Sequence, residues 1–212
     1  MSLSTPFDRP DLSLERSLLS QGYMHVAGVD EVGRGALAGP VVAAAVIMDP
    51  QDDSLVGQVN DSKKLTPAKR EKLYDLISER AISVGLAFVD HSTIDRINIL
   101  NASLLAMKIA VEKLTPLPQL CLVDGHQKFL SDVPQRTVIK GDQKVFTIGA
   151  ASIIAKVARD RWMVDQEKIW PEYGFAQNKG YGTSLHRKAI DKHGQSTIHR
   201  RSFVLKEKND VA

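Results

Sequence analysis

Two stretches decide the fold of this 212-residue chain: residues 26–31, Val-Ala-Gly-Val-Asp-Glu, and residues 41–48, Val-Val-Ala-Ala-Ala-Val-Ile-Met. The second is rich in valine and lies between Gly-Pro and Asp-Pro pairs, which predicts a buried strand. The first is β-like and ends on two acids. A short connection that contains Gly33 and Gly35 separates them. We therefore expect the two strands to form a hairpin.

Beyond this hairpin, helical and strand patterns alternate. Thr66-Pro67 resembles a helix N-cap followed by proline at the first helical position, and Ser92 with Asp95 resembles a capping box. We expect strands at residues 82–88, 120–124 and 137–140, and further helices at residues 100–114, 148–163 and 184–193. This order predicts an α/β fold, with a central mixed β-sheet flanked by helices.

Chain length and linker composition indicate one domain. A length of 212 residues suits a single α/β unit, and no low-complexity linker divides the chain. Within residues 1–212 we expect residues 1–20 to form a peripheral N-terminal arm. Residues from about 184 to 212 are expected to form a basic helical C-terminal portion.

Composition excludes several classes of protein. Hydrophobic residues make up 43% and charged residues 25% of the chain, which is typical of a globular protein and excludes a disordered or collagen-like one. The longest apolar run, residues 41–48, is far shorter than the ~20 residues of a membrane span. The single cysteine, Cys121, excludes an internal disulfide and a cysteine-based zinc site. With no signal-peptide pattern at the N-terminus, a reducing, cytoplasmic location is expected.

The positive charge of the chain is concentrated near its end. The net charge is +3, but eight Lys and Arg against two acids give residues 179–208 a charge of +6. A basic end on a nearly neutral body indicates a polyanionic partner such as a nucleic acid. The alternative, a solvated lysine-rich helix end, stays open from charge alone.

Acids end three of the predicted strands. Asp30 and Glu31 follow the first, Asp124 follows residues 120–123, and Asp142 comes after residues 137–140. If these strands are neighbours, four carboxylates meet at one place and cannot all stay ionised without cations. Mg²⁺ or Mn²⁺ with oxygen ligands is the natural solution. A turn-forming role is the better interpretation for any single acid, but the set together favours a metal site.

One geometric difficulty concerns the consecutive acids Asp30 and Glu31. In a regular strand, consecutive side chains point to opposite faces. Both carboxylates reach one site if the strand bends at its end, as Gly33 and Gly35 would allow. Alternatively, Glu31 binds through its backbone carbonyl.

Two glycine-containing loops are candidate nucleic-acid contacts. Gly33-Arg34-Gly35 directly follows the acidic pair, exposes backbone N–H groups and carries a guanidinium suited to phosphate. Tyr181, between Gly180 and Gly182, is free to stack on a sugar or a base. A plain turn and a half-buried tyrosine are the respective alternatives.

These residues resemble the signature of the type 2 ribonucleases H, in the bacterial ribonuclease HII form. The resemblance begins with Gly28-Val29-Asp30-Glu31-Val32-Gly33-Arg34-Gly35 and continues through Asp61-Ser62-Lys63-Lys64-Leu65, Val123-Asp124-Gly125 and Lys140-Gly141-Asp142. Further blocks are Ala150-Ala151-Ser152, Lys179-Gly180-Tyr181-Gly182 and His199-Arg200-Arg201-Ser202-Phe203. The resemblance covers nearly the whole chain and is therefore specific.

The resemblance implies an RNase H-like fold and endonucleolytic hydrolysis of RNA in RNA–DNA hybrids, including single ribonucleotides embedded in duplex DNA. It assigns catalysis and divalent-metal binding (Mn²⁺ or Mg²⁺) to Asp30, Glu31, Asp124 and Asp142. It implies that Gly33, Arg34 and Gly35 read the ribonucleotide 2′-OH and the junction, and that Tyr181 is the junction-sensing tyrosine. The partner is then an RNA–DNA hybrid or a ribonucleotide-containing DNA duplex, with no membrane and with the protein as a monomer.

Both interpretations lead to two-metal phosphodiester hydrolysis that leaves a 5′-phosphate and a 3′-hydroxyl. Two rival functions are a different metal-dependent phosphoryl-transfer enzyme, such as a DNA nuclease or integrase-like transferase, and a non-catalytic nucleic-acid-binding module. Strand-end acids disfavour the latter, because without metal they would repel phosphate. A cleavage assay on matched DNA duplexes with and without one ribonucleotide distinguishes a ribonuclease H from the rival phosphoryl-transfer enzyme.

Overall fold

The computed structural model describes residues 9–203. Its strands are β1 (Val26–Val32), β2 (Val41–Ile47), β3 (Ser83–Val89), β4 (Leu120–Asp124) and β5 (Gln135–Val138). Its helices are α1 (Ser13–Ser20), α2 (Pro67–Arg80), α3 (His91–Glu112), α4 (Phe146–Glu167), α5 (Phe175–Asn178) and α6 (Ser184–His193). Short 3-10 turns cover Ser62–Lys64, Gly141–Gln143 and Pro171–Tyr173.

The five strands form one mixed sheet in the order β3-β2-β1-β4-β5. β1 and β2 pair antiparallel, which confirms the hairpin, and β3 pairs antiparallel with the other side of β2. β4 runs parallel to β1, with Val29 opposite Val123, and β5 runs parallel to β4. Because β1 and β4 are parallel neighbours, the residues after Val29 and Val123 lie beside each other at one edge of the sheet.

Helices cover both faces of the sheet. Every residue of β2 is fully buried, as its apolar run predicts. Its alternate side chains divide between two cores, one in which Ala43 packs with α3 residues and one in which Ala44 packs with α2 and α4 residues. A mixed sheet between two layers of helix is the architecture that the sequence predicts.

Helix α4 approaches β1 closely because of Gly28. A Cβ placed on Gly28 would overlap the backbone of Thr147 and Ile148, so only glycine permits this contact. The small residues of α4 serve the same approach, since Gly149, Ala150 and Ala151 are buried. The first turns of α4 therefore lie directly against the strand that ends in Asp30.

Two local predictions differ from the structure. The capping box of Ser92 and Asp95 is wrong, because α3 begins one residue after Asp90, whose carboxylate accepts a hydrogen bond from the Thr93 amide at 2.7 Å. Asp95 instead accepts hydrogen bonds from the backbone amides of Arg201 and Ser202, late in the chain. β5 ends at Val138, so Asp142 belongs to the following 3-10 turn and not to a strand end.

The ends of the chain are described only in part. Helix α1 lies in the expected N-terminal arm, whereas residues 1–8 are outside the described residues. Helix α6 ends at Gly194, as predicted, and turns follow as far as Phe203. The last basic residues, Lys206 and Lys208, lie outside the described part. Between residues 9 and 203, no helix has the length and apolar character that a membrane crossing requires.

Candidate active site

All eight residues that the sequence predicts for the site line one cavity of about 520 Å³. The cavity lies at the edge of the sheet where β1 and β4 end. Its predicted residues comprise the four acids and the four nucleic-acid contacts: Asp30, Glu31, Asp124, Asp142, Gly33, Arg34, Gly35 and Tyr181. The remaining lining residues are Val32 at the end of β1, two residues of the turn at residues 62–64 and two residues of α4.

The end of β1 presents its two acids from opposite sides of the sheet. β1 pairs regularly with β2 through Val32, so the strand does not break at Asp30 and Glu31. Asp30 lies on the α4 side, where Ser152 donates a hydrogen bond to it. Glu31 lies on the α3 side and also lines an adjoining cavity with Leu100. Both acids reach one cavity because it wraps around the sheet edge, which resolves the geometric difficulty without a bend.

A hydrogen bond between Asp124 and the next loop joins the other two acids. Asp124, the last residue of β4, accepts a hydrogen bond at 2.7 Å from the backbone amide of Gly141. Asp142 follows directly and is buried. The short turn after β5 thus places Asp142 beside Asp124, although the strand itself ends four residues earlier.

Burial and mutual repulsion favour the protonated forms of these acids. Burial, followed by the charges of Glu31 and Asp124, raises the pKa of Asp30 well above its ordinary value. Burial also raises the pKa of Glu31, against the opposing effect of Arg34. Burial and then the charge of Asp124 raise the pKa of Asp142. Groups that repel one another in this way accommodate cations.

The donor set fits divalent metal ions by its chemistry. Four carboxylates around one cavity offer the hard oxygen ligands that Mg²⁺ and Mn²⁺ prefer. Over residues 9–203, no three Asp, Glu, His or Cys side chains already form a group of metal-binding geometry. The acids are therefore neighbours around the cavity and not an assembled coordination sphere.

Two buried arginines hold the backbone of the Gly33–Gly35 loop and of the residues that follow it, as far as Pro40. Arg200 donates to the carbonyls of Gly33, Arg34 and Gly39 at 2.7–3.0 Å. Arg159 donates to the carbonyls of Ala38, Pro40 and Lys179. Gly33 has a positive φ of 93°, and a Cβ there would overlap the Arg159 side chain. The loop conformation is thus fixed from inside the protein.

The outer surface of this loop is open to the cavity. A Cβ on Gly35 would meet nothing within 4 Å, so this backbone is accessible to a ligand. The Arg34 side chain is half exposed, and its guanidinium lies 3.2 Å from the Glu31 carboxylate. A cation and exposed backbone therefore stand next to the acidic edge.

Tyr181 lines the cavity and is joined to the loop after β1 through its backbone. Its backbone bridges to Ala36 in the Gly33–Ala38 segment, and the amide of Leu37 donates to Gly180. The Arg159 guanidinium lies 5.3 Å from the centre of the tyrosine ring, and the Lys156 ammonium lies 5.8 Å from it. Tyr181 is partly exposed, so the residue is accessible from the cavity that it lines.

Sequence reasoning missed several residues of the site. Ser62 and Ser152 line the cavity and lie 3.0 Å apart, and the cations Lys63 and Lys156 line it as well. Ser152, Lys156 and Arg159 recur at intervals of four and three within the largely apolar stretch of α4 from residue 148 to residue 159. This spacing was the available signal, because it places polar groups on one helical face.

Comparison with known proteins decides the family. The family model described as Ribonuclease HII matches residues 27–206. This chain belongs to the ribonuclease HII family. Ribonuclease HII from Acetivibrio thermocellus is 52% identical over 90% of this chain and 73% of that protein. Ribonuclease HII from Caldicellulosiruptor saccharolyticus is 49% identical over 93% of this chain and 95% of its own length.

A solved structure agrees with the fold. The ribonuclease H2 of Pyrococcus horikoshii is 28% identical and superimposes with a TM-score of 0.71 over 85% of this chain and 94% of that chain. The predicted RNase H-like fold is confirmed. As a member of the ribonuclease HII family, the protein is a ribonuclease H, a metal-dependent endonuclease that hydrolyses RNA in RNA–DNA hybrids.

Proposed function

We propose that the protein also cuts at single ribonucleotides embedded in duplex DNA, and that Asp30, Glu31, Asp124 and Asp142 carry its catalysis. The observation that supports this proposal is the shared cavity. The four acids line it together with the Gly33–Gly35 loop and Tyr181. A scissile phosphate at the acids would therefore have its neighbouring sugars within reach of the loop and the ring.

The acids would hold divalent ions, Mg²⁺ or Mn²⁺, in a two-metal arrangement. When bound, these ions supply activation of water and charge stabilisation at the leaving oxygen, which gives 5′-phosphate and 3′-hydroxyl ends. The chain itself contributes orientation: the Gly141 amide fixes Asp124, and Ser152 fixes Asp30. Lys63 and Lys156 contribute positive charge for the phosphate at the cavity wall.

Recognition of the ribonucleotide would be divided between two loops. The open backbone at Gly35 allows close approach to a 2′-OH, which distinguishes RNA from DNA. Arg34 offers a guanidinium for the adjacent phosphate. Tyr181 would stack on the sugar after the cleaved bond. Basic residues of the C-terminal portion would contact the duplex backbone, a contact that weakens with salt.

Matched duplexes test this function. Three substrates are needed: all-DNA, the same duplex with one ribonucleotide, and a full RNA–DNA hybrid, each with Mg²⁺ and with Mn²⁺. We expect cleavage of the last two only. Cleavage of the all-DNA duplex at a similar rate would support the rival DNA nuclease instead.

Tyr181→Ala tests the sensing role. Losing one stack costs on the order of 1–3 kcal/mol, so kcat/KM for the single-ribonucleotide duplex should fall about ten- to a hundredfold. The hybrid should lose less, because it binds in many registers. Tyr181→Phe, which keeps the stack, is the control. Equal losses on both substrates would contradict junction sensing.

We also propose that the protein acts as a monomer in the reducing cytoplasm. One chain lines the whole cavity, and its cysteine is buried. Light scattering at assay concentration, with and without substrate duplex, tests the monomer.

A further inference from the structure

A buried chain of hydrogen bonds leads from the C-terminal segment to Tyr181. The His186 ring, on α6, contacts the Tyr181 carbonyl through Nδ1 at 2.9 Å. Its Nε2 lies 3.0 Å from Nε2 of His199. Nδ1 of His199 in turn lies 2.9 Å from the Ser196 amide and 2.7 Å from the Ser196 hydroxyl. Both imidazoles are at most 1% exposed.

The two ends of this chain fix the protons along it. A backbone amide only donates, so Nδ1 of His199 accepts and carries no proton. His199 is then neutral with its proton on Nε2, which it donates to His186. A carbonyl only accepts, so His186 holds its own proton on Nδ1 and donates it to Tyr181. This chain of hydrogen bonds from Ser196 to the Tyr181 carbonyl, called the relay below, is complete only while both imidazole rings are neutral.

The surroundings of the pair favour the neutral state. The aromatic rings of Tyr173 and Phe175 lie 5.0–6.3 Å from the two imidazoles. Burial lowers the pKa of His186, and burial together with the charge of His186 lowers the pKa of His199 to about 4. The cationic side chains of Arg187 and Arg201 lower the pKa values of His186 and His199, respectively, in the same direction.

We propose that His186 and His199 form a positioning pair, which holds the backbone of Tyr181 so that its ring stands over the cavity. The Tyr181 carbonyl accepts hydrogen bonds from Nδ1 of His186 and from the Thr183 amide. The Tyr181 amide donates a hydrogen bond to the Asn178 carbonyl. The loop is therefore fixed from three directions. The expected effect on substrate choice rests on the proposed sensing role of Tyr181. The hydrogen bonds of the relay do not depend on that role.

The relay is tested first in the wild-type protein, without activity. Imidazole ¹⁵N spectra at pH 7 should show His186 protonated at Nδ1 and His199 at Nε2. The opposite tautomer on either ring, or a charged ring at pH 7, would overturn the proposal. No variant has to fold for this measurement.

His186→Phe then removes the relay and keeps an aromatic ring. We expect kcat/KM on the single-ribonucleotide duplex to fall about tenfold, the effect of one lost hydrogen bond. In the Tyr181→Ala background, His186→Phe should lower kcat/KM less than twofold, because the ring that His186 positions is already absent. If the two losses multiply instead, His186 does not act through Tyr181.

A readout at Tyr181 itself separates positioning from sensing. The chain has four tyrosines, so ring signals of ¹³C-tyrosine are assignable with Tyr181→Phe. His186→Phe should shift the Tyr181 signal, whereas His193→Gln, at an exposed histidine of the same helix, should not. An unmoved signal in a folded variant refutes positioning. If the signal moves but Tyr181→Ala leaves substrate preference unchanged, the positioning stands and the sensing role fails.

A second variant covers the case in which His186→Phe does not fold. His199→Gln retains an amide N–H that can donate to Nε2 of His186, so the Tyr181 signal and the cleavage rate should stay within twofold of wild type. His199→Leu has no donor and should reproduce the loss expected for His186→Phe. Equal behaviour of the two His199 variants would overturn the relay.

Discussion

Asp124 is the residue on which the electrostatics of the site depend. Burial is the main cause of the raised pKa values of Asp30, Glu31 and Asp142, and the charge of Asp124 adds to it for all three. The Asp124 carboxylate also accepts a hydrogen bond from the Gly141 amide. An asparagine at this position keeps the accepting oxygen and removes the charge. The other acids would then be easier to ionise.

Asp124→Asn should abolish cleavage and preserve the fold. We expect activity to fall by more than about a hundredfold, because the change removes one of the proposed metal ligands rather than a residue that supports a ligand. The pKa values of Asp30 and Asp142 should decrease, which ¹³C carboxyl titration measures. Stability at pH 7 should be unchanged or higher. Asp165→Asn, at an exposed acid outside the cavity, is the control; turnover at the wild-type level by folded Asp124→Asn would refute the metal site.

Residue types alone predicted which acids share the site, but not how they reach it. Three strands that stop on or near acids indicated a cluster. The approach of Asp30 and Glu31 from opposite faces depends on where the cavity opens, which is a property of the packed sheet. Arg159 and Arg200 were missed as supports because five of the six carbonyls that they bind lie more than a hundred residues away in sequence.

Among the elements, α4 connects the core to the site. Its first turns lie against β1 at Gly28, and its later turns carry Ser152, Lys156 and Arg159. The predicted helix spans residues 148–163, and the observed one covers Phe146–Glu167. The periodicity of the sequence predicted this helix correctly. The strand before Asp142 was predicted at residues 137–140, two residues later than the observed Gln135–Val138. The apolar pattern there is too short to fix a boundary.

Gly28→Ala should destabilise the protein by at least about 2 kcal/mol, because the new methyl group overlaps backbone of α4 that cannot rotate away. Urea unfolding measures this change. Gly35→Ala is the matched control: its Cβ meets nothing within 4 Å, so the free energy of unfolding should change by less than about 0.5 kcal/mol. Equal effects of the two substitutions would contradict the close contact between α4 and β1.

At the scale of the whole molecule, the segment after α6 contacts three parts of the fold: α3, the loop after β1, and α6 itself. Asp95 of α3 receives the amides of Arg201 and Ser202, and Arg200 holds the loop after β1. His199 reaches α6 through His186. The sequence predicted a basic end here but not these contacts, because each joins residues that only the completed fold brings together.

The buried histidines should make stability depend on pH. The pKa of His199 is about 4 in the folded protein and about 6.5 when unfolded, so the unfolded chain binds more protons between these values. Its contribution is present above pH 6.5 and is lost as pH falls toward 4, with a slope of up to about 1.4 kcal/mol per pH unit. The raised pKa values of Asp30 and Asp142 act in the opposite sense.

Comparison with His199→Gln isolates the histidine contribution. Between pH 7 and pH 5, the melting temperature of the wild type should fall more than that of the variant, since the acids are common to both. His193→Gln should behave as wild type. A variant with the same pH dependence as wild type would show that His199 is not buried in the neutral form.

The two buried guanidiniums have a consequence for how this enzyme can be altered. Burial lowers the pKa of Arg200 to about 9, which leaves it charged at neutral pH, and with Arg159 it holds six main-chain carbonyls. The clamp thus binds the main chain, and it excludes side chains only where they would point toward it, as at Gly33, where a Cβ would overlap Arg159. The exposed Arg34 side chain takes no part in these bonds to the carbonyls, so substitutions there should leave the course of the loop unchanged, which makes this position, unlike Gly33, a permissive one for evolution and for design.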